Sequence, residues 1–194
     1  MRALILAAAL LAATPAAAQD QQMKPPTPEE MQAMMALMGP GPEHKDFEPL
    51  AGTWDMDITF NMGGPPMKVA GRAVNTLILG GRFLKSETKG HAAAMGMDVE
   101  SLSIYGFDRR TNEYTVVGYD TMGTYYVTAA GKKQPGAKEV VMQGWVEENA
   151  PMRGRMDYDM VLRWVDADTY VSEIIFKFPS GPTKVAEMTF RRAK

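Results

Sequence analysis

The sequence predicts an all-β protein, an antiparallel barrel of about ten strands preceded by one short helix. The first observation is the stretch from Trp54 to Phe60, in which apolar residues take every second position. A period of two is typical of a strand with one buried and one solvated face. The second observation is that similar segments follow at intervals of roughly 8 to 15 residues, with no helical pattern between them. This spacing disfavours βαβ units and favours a barrel or a sandwich.

Residues 1–18 have the features of a secretory signal peptide. Arg2 supplies a positive charge, an apolar Ala- and Leu-rich run follows, and Ala16-Ala-Ala18 is a small-residue cleavage site. The apolar run is too short for a membrane-spanning helix, which needs roughly 20 residues. We therefore expect cleavage near Ala18 and a periplasmic or secreted mature protein without a membrane span.

The composition narrows the class of protein. The 194-residue chain contains no cysteine, so it forms neither a disulfide nor a lipid-anchored cysteine, and it must rely on its hydrophobic core. A net charge of −2 gives no reason to expect nucleic acid as a partner. The 17 methionines indicate either adaptable packing or thioether chemistry.

Residues 19–41 are predicted to form a flexible, proline-rich segment followed by a short methionine-rich helix. Thr27 is a typical N-cap, Pro28 suits the first helical position, and Glu30 completes a capping box. One helical face then carries Met31, Met34, Met35 and Met38. A helix this short is unstable alone in water, so we expect its methionine face to dock. It would dock either on the barrel, as a lid or plug, or in a groove of a protein partner.

Residues 42–194 are the predicted barrel domain. Its first part, residues 42–49 with His44, is expected to cross into the first strand. Turn signals rich in Gly, Pro, Asn and Asp separate the segments with strand patterns. These segments are residues 54–60, 67–79, 82–89, 98–107, 113–120, 124–129, 138–147, 154–164, 170–178 and 183–192.

Several short motifs carry a family resemblance. Gly52-Thr-Trp54 resembles the Gly-x-Trp opening of lipocalins and other calycin barrels. With His44, Gly80-Gly-Arg-Phe-Leu84, Gly106-Phe-Asp108, Asn112-Glu-Tyr114 and Met122-Gly-Thr124, the chain resembles the DUF1579 family of uncharacterised calycin-like bacterial proteins. The resemblance covers residues 42–192 and implies a calycin-like barrel without implying an activity. The family's Trp-Ile-Asp-like strand is here Val117-Gly-Tyr-Asp120.

The same resemblance implies a contact between the two ends of the barrel sequence. One of the two closing arginines, Arg191 or Arg192, should lie across the indole of Trp54 as a cation–π pair. We favour Arg191.

The candidate site is the interior of the barrel. In a wide barrel the inward residues line a cavity for a small apolar or amphipathic ligand, whereas in a tighter barrel they fill the space, and the residue types fit both. Two tyrosines would provide polar groups within this apolar lining. The predicted interior residues are Trp54, Met56, Ile58, Phe60, Tyr119, Met156, Tyr158, Met160, Leu162 and Trp164.

A minor alternative is Cu(I) binding through His91, Met95 and Met97, because thioether and imidazole ligands suit Cu(I). Methionines at such spacings usually pack instead. No histidine follows His91, which disfavours a haem held from a late strand, and no cofactor is predicted.

Little in the sequence indicates an enzyme, because it has no cysteine, two histidines, and neither a Gly-x-Ser-x-Gly motif nor a phosphate-binding loop. The acids Asp55, Asp57, Asp157 and Asp159 alternate with apolar residues and are expected on the outer face. Glu173 or its neighbours must face inward. The sequence therefore predicts a binding module, or alternatively a structural or interaction protein with a filled barrel and a partner-binding helix.

Overall fold

The computed structural model describes residues 24–61, 63–148 and 154–194. An α-helix, α1 (Pro28–Met38), is followed by a 3₁₀ helix, Pro42–Leu50, which we call the plug helix. The predicted signal peptide lies outside the described residues. The ten strands are β1 (Gly52–Phe60), β2 (Met67–Ile78), β3 (Phe83–Ala92), β4 (Met97–Asp108), β5 (Glu113–Asp120), β6 (Tyr126–Gly131), β7 (Glu139–Glu148), β8 (Gly154–Asp166), β9 (Thr169–Phe178) and β10 (Gly181–Arg192).

The strands form one closed antiparallel barrel in which each strand pairs with its neighbours along the chain. The last strand closes the barrel on the first, with Trp54 opposite Arg192 and Phe60 opposite Ala186. This confirms the predicted all-β antiparallel barrel of ten strands with a short N-terminal helix. Closure gives β1 and β10 each a second partner, so neither remains a sheet edge.

The plug helix blocks one end of the barrel, which we call the closed end. The odd-numbered strands start at the closed end and finish at the opposite end, the open end. His44, Phe47 and Leu50 of the plug helix are buried, and Phe47 is only 1% exposed. The prediction of a simple crossing before the first strand missed this helix. Pro42 at its start and the bond from the Gly41 N–H to Nδ1 of His44, 3.0 Å, stabilise it locally.

Asp46 anchors the middle of the plug helix to three strands or loops of the barrel. Its carboxylate accepts a hydrogen bond from the Tyr114 hydroxyl and one from Lys133 Nζ at 2.7 Å. Its backbone carbonyl accepts the indole N–H of Trp164 at 3.0 Å. Lys133 also lies over the Trp164 ring, 4.8 Å from the centroid. The plug helix is thereby fixed to the β4–β5, β6–β7 and β8–β9 side of the barrel.

The end of the plug helix is anchored by the contact that the resemblance implied. The Arg192 guanidinium lies 4.2 Å from the centre of the Trp54 ring and donates to the Pro49 carbonyl at 2.8 Å. The choice of Arg191 is wrong. Arg191 lies on the outer face and pairs with Asp57 at 2.6 Å, because the register places Arg192, and not its neighbour, opposite Trp54.

α1 has the predicted capping box. Thr27 accepts the backbone N–H of Glu30 at 3.2 Å, and the Glu30 carboxylate accepts the N–H of Thr27 at 2.7 Å. The helix is attached at its C-terminal end, where Arg109 donates to the Ala36 and Gly39 carbonyls and Arg82 to that of Met38. Its four methionines are exposed by 45–71%. α1 therefore lies beside the closed end and does not cover the open end. Neither described helix is both long and apolar enough to cross a membrane.

The junction of β6 and β7, which we call the seam, is the shortest pairing in the barrel. Only Ala129 and Ala130 of β6 are in register with β7, opposite Gly144 and Gln143, whereas β7 and β8 pair at ten positions. Towards the open end the two strands separate. The Tyr158 hydroxyl of β8 donates to the Thr128 carbonyl of β6 at 2.9 Å and so bridges the seam. Its ring passes over Gly144, where an added Cβ would lie 2.5 Å from a ring carbon.

Candidate functional site in the barrel interior

The structure places nine of the ten predicted interior residues inside the barrel. They are either buried or half-buried and belong to the central hydrophobic cluster: Trp54, Met56, Ile58, Phe60, Met156, Tyr158, Met160, Leu162 and Trp164. All nine lie on two strands, β1 and β8, which are separated in the barrel wall by β9 and β10. Their part in ligand binding stays a prediction.

The interior position predicted for Tyr119 is wrong. It lies on the outer face, 49% exposed, opposite Tyr126, with the two ring centres 6.2 Å apart. Tyr114, Val116 and Gly118 occupy the inward positions of β5, so the alternation turns Tyr119 outward. Both faces of this strand carry apolar residues, and for that reason the sequence did not distinguish them.

Methionine is a frequent residue in the lining of the barrel interior. Four methionines beyond those predicted also belong to the interior cluster, so seven methionines of the described residues are inside the barrel: Met56, Met67, Met97, Met142, Met156, Met160 and Met188. Methionine side chains are unbranched and flexible, and they adapt to irregular shapes. A lining of this kind can adapt its shape.

A group of small polar residues, the polar stripe, lies on the wall formed by β2, β3 and β4. Asn75, Ser86 and Ser103 are cross-strand neighbours in one row. Thr88 and Ser101 form the next row towards the open end, and their hydroxyls are 2.7 Å apart. The polar stripe was missed in the sequence, because its members come together only through the register of three strands. The available signal was the i, i+2 spacing of Ser86 and Thr88 and of Ser101 and Ser103.

Asn75 lies at the closed end of the polar stripe and is 4% exposed. Its amide Nδ2 donates to the Leu50 carbonyl at 2.8 Å and to the Tyr170 hydroxyl at 2.9 Å. Its Oδ1 is buried and accepts no hydrogen bond from any described residue. The hydroxyl of Ser172, on the facing wall, is likewise buried without a partner among the described residues. Buried polar atoms without partners are uncommon and call for an explanation.

Two further tyrosines frame this end of the interior. Burial raises the pKa of the Tyr105 phenol to about 12, against the opposing effect of a hydrogen bond with Ser103. Burial also raises the pKa of Tyr170 far above its usual range. Both phenols are therefore neutral at physiological pH and act as hydrogen-bonding groups without charge.

Tyr105 is partly accessible although it faces the barrel interior. It lies between the buried Leu84 and Val116 on the neighbouring strands. Other inward residues between Tyr105 and the open end are half-buried in the same way: Thr88, Ser101, Ser103, Ile174 and Met188. Several inward side chains between the open end and Tyr105 are therefore not completely enclosed by their neighbours.

Charge is confined to the rim and the outside. Between the rim at the open end and Arg192 over Trp54 at the closed end, the described side chains that the strands turn inward are uncharged. Glu173 faces outward, where it pairs with Lys184 at 3.0 Å and with Arg163 at 3.5 Å. Asp57 and Asp157 form outer-face pairs with Arg191 and Arg155. Between the two ends of the barrel, the described inward side chains offer hydrogen bonds and apolar contacts but no counter-ion.

The three candidates for Cu(I) do not converge. His91 is on the outer face of β3, with Nδ1 2.8 Å from an Asp98 carboxylate oxygen. Met97 belongs to the interior cluster, and Met95 is exposed in the turn between β3 and β4. The sheet therefore separates His91 from Met97. Within the described ranges, no group of three or more His, Cys, Asp or Glu side chains is placed to hold a metal.

A second concave region lies outside the barrel, between α1 and the closed end. This cleft of about 480 Å³ has an apolar lining that includes Met34, Leu37 and Phe107, with Arg82 and Arg109 at its margin. The sequence predicted the methionine face but not the cleft, which depends on how the two arginines hold the end of α1.

The fold and its interior define the class: a calycin-like antiparallel β-barrel, closed at one end by a short helix and lined mainly by apolar side chains. The chain belongs to the family "Protein of unknown function (DUF1579)", whose model matches residues 39–192. The family assignment made from the motifs is thereby confirmed.

Two solved structures share the barrel architecture. The crystal structure of Rv2717c from M. tuberculosis is 14% identical, with a TM-score of 0.58 over 80% of this chain and 100% of that one. A de novo designed fluorescence-activating β-barrel is 13% identical, with a TM-score of 0.44 over 75% of this chain and 95% of that one. At such identities the first likeness shows the fold alone. No curated protein matches the chain in sequence.

Proposed function

We propose that the protein is an exported binding module that holds a small apolar or amphipathic molecule inside its barrel. The observation that carries the proposal is the accessible surface of Tyr105, an inward residue placed well away from the open end. Space at that depth, continuous with half-buried residues towards the open end, has the form of a ligand chamber. Export is supported by the signal-peptide features of residues 1–18.

Two features of the lining support an apolar ligand. The seven interior methionines supply adaptable contacts, and the half-buried Phe60, Met67, Met97, Met156 and Phe176 surround the open end with apolar surface. A molecule entering there would remove this apolar surface from water, at a gain of roughly 25 cal/mol for each Å².

The test uses N-phenylnaphthylamine, an uncharged dye whose fluorescence rises in apolar surroundings. We expect the purified protein to enhance it saturably. Met188→Trp places bulk inside the barrel and should abolish the enhancement. Thr189→Trp places the same bulk on the outer face of the same strand and should preserve it. Equal enhancement by both variants would place the dye outside the barrel and refute the proposal.

Export is tested separately by the mass of the protein isolated from the periplasm or culture medium. Removal of residues 1–18 is the expected result, and an intact N-terminus in the cytoplasm would contradict it.

A second candidate function is binding of a protein partner through α1. The favouring observation is that Met31, Met34, Met35 and Met38 remain exposed although the helix is capped and attached to the barrel. A protein bound to this face would copurify with the wild type in stoichiometric amount. The double variant Met31→Gln/Met35→Gln should no longer copurify with it, while its dye binding stays unchanged. Glu29→Gln, a change on the same helix that spares the methionines, is the control.

A further inference from the structure

We infer that the barrel selects an uncharged molecule carrying an O–H or N–H donor, which hydrogen-bonds to Oδ1 of Asn75. This inference rests on the proposed function and specifies the chemistry of the ligand. It is carried by the unpartnered acceptor on Asn75, the polar stripe beside it, and the absence of charged side chains from the described inward surface between the two ends of the barrel.

The orientation of the Asn75 amide follows from its neighbours. The Leu50 carbonyl can only accept, so the group that meets it at 2.8 Å must be the donating Nδ2. Rotation of the amide by half a turn would bring two acceptors together. Oδ1 is therefore the buried acceptor left without a partner among the described residues, and a ligand donor that reaches it would satisfy it.

The rest of the polar stripe extends this acceptor towards the open end. Ser86 and Ser103 lie beside Asn75, followed by the hydrogen-bonded pair of Thr88 and Ser101. A ligand with its donor at Asn75 would lie along hydroxyl groups on one side. Its other side would meet the methionines of β7, β8 and β10 across the barrel. The arrangement fits a molecule with one polar edge or end and an apolar body.

The same interior disfavours charged ligands. A carboxylate or an ammonium group would lose its hydration without gaining an oppositely charged side chain among the described inward residues. Two cations nearest the closed end already have partners: Lys133 pairs with Asp46, and Arg192 lies over Trp54 and donates to the Pro49 carbonyl. A free fatty acid in its ionised form is therefore a poorer ligand than the alcohol of the same chain length.

The experiment compares three displacers of bound N-phenylnaphthylamine that share one alkyl chain. Decanol has a hydroxyl donor, and methyl decyl ether has only an acceptor. Decanoate carries a negative charge when the pH is well above the pKa of a free carboxylic acid. We expect decanol to displace the dye at about a five- to tenfold lower concentration than the ether, the value of one hydrogen bond. Decanoate should be weaker than both.

Equal displacement by decanol and the ether, with the dye bound inside the barrel, would overturn this inference and leave the proposed function intact. Tighter binding of decanoate would also overturn it. If the dye does not bind inside the barrel at all, the proposed function fails first, and the Met188→Trp and Thr189→Trp pair reports this.

Variants then locate the acceptor. Asn75→Ala should bring decanol and the ether to equal affinity, but it also removes the bond to Leu50, so thermal unfolding must show that the barrel remains folded. Ser172→Ala removes the other unpartnered polar atom on the described inward surface, at no cost in hydrogen bonds, and should preserve the preference for decanol. If Ser172→Ala alone abolishes the preference, the donor lies against Ser172 and the assignment to Asn75 is wrong.

Discussion

The two ends of the barrel are built differently. At the closed end the plug helix buries Phe47 and Leu50, and hydrogen bonds to Asp46 and Leu50 attach it to several strands. At the open end the inward residues Phe60 and Phe176 are only half-buried, and the seam between β6 and β7 widens. One end is therefore enclosed by the plug helix, while the inward residues at the other end stay partly accessible.

Removal of a phenyl ring at each end gives the largest expected difference. Phe47→Ala should lower the free energy of unfolding by about 3–5 kcal/mol, because the ring is 1% exposed and its removal leaves a cavity. Phe60→Ala makes the same chemical change at the half-buried rim and should cost less than about 2 kcal/mol. Urea denaturation of both variants measures the two values. Equal losses would show that the ends are equally packed.

The seam provides the next comparison. Gly144→Ala would place a Cβ 2.3 Å from the Thr128 carbonyl oxygen and 2.5 Å from the Tyr158 ring. Because backbone and ring must both move, we expect a loss of about 1–3 kcal/mol in unfolding free energy. Gly64→Ala is the matched control, since no atom lies within 4 Å of its added Cβ and its φ is not positive. An unchanged stability of Gly144→Ala would mean that Tyr158 does not cross the seam.

Tyr158→Phe tests the bridge itself with a smaller effect. The variant loses only the hydrogen bond to the Thr128 carbonyl, for an expected cost of about 1 kcal/mol. Amide hydrogen exchange should accelerate at residues 126–128 and 145–147, on the two sides of the seam, and remain unchanged in β9 and β10. Tyr119→Phe, which alters an outer-face hydroxyl, is the control. Uniform acceleration throughout the barrel would indicate general destabilisation instead of an opened seam.

The smallest effect concerns pH at the closed end. Burial lowers the pKa of the His44 imidazole, with Arg109 and Arg82 acting in the same direction and Glu43 opposing them. At mildly acidic pH the folded state then binds fewer protons than the unfolded state, in which the histidine has a pKa of about 6.5. The contribution of His44 to stability is thus complete above that pH and declines as the pH falls through the folded-state value.

His44→Asn keeps an acceptor for the Gly41 N–H but does not titrate. Acidification below pH about 6.5 should therefore lower the melting temperature of the wild type more than that of the variant. Each kcal/mol of difference in unfolding free energy corresponds to about 2–4 °C. Parallel loss in the two proteins would exclude His44 as the titrating group.

Much of the barrel could be predicted, because the alternation of apolar and polar residues that marks a strand is a local property of the sequence. The period of two from Trp54 to Phe60 and from Met156 to Trp164 identifies strands and their inward faces without knowledge of their partners. Where both faces are apolar, as around Tyr119, the period does not decide between them. The choice between Arg191 and Arg192 failed for a related reason, because it depends on the register of β10 against β1.

The features that define the candidate site were harder to predict. Asn75, Ser86 and Ser103 are separated by up to 28 positions in the numbering and meet only through the register of three strands. The plug helix has no apolar period, and its burial depends on partners such as Tyr114, Lys133 and Trp164. Sequence patterns report which residues share a face of one strand, whereas these contacts are made between strands.

The pairing of β1 with β10 also constrains the order in which the barrel forms. Arg192 bonds to Pro49, so the contact that completes the closed end joins residues 143 positions apart. Local hairpins from β2 to β9 can form early, but the ring closes only after β10 is available. Until then β1 and β9 are open sheet edges, which are prone to pair with other chains. The last strand of the barrel therefore converts an aggregation-prone open sheet into a closed one.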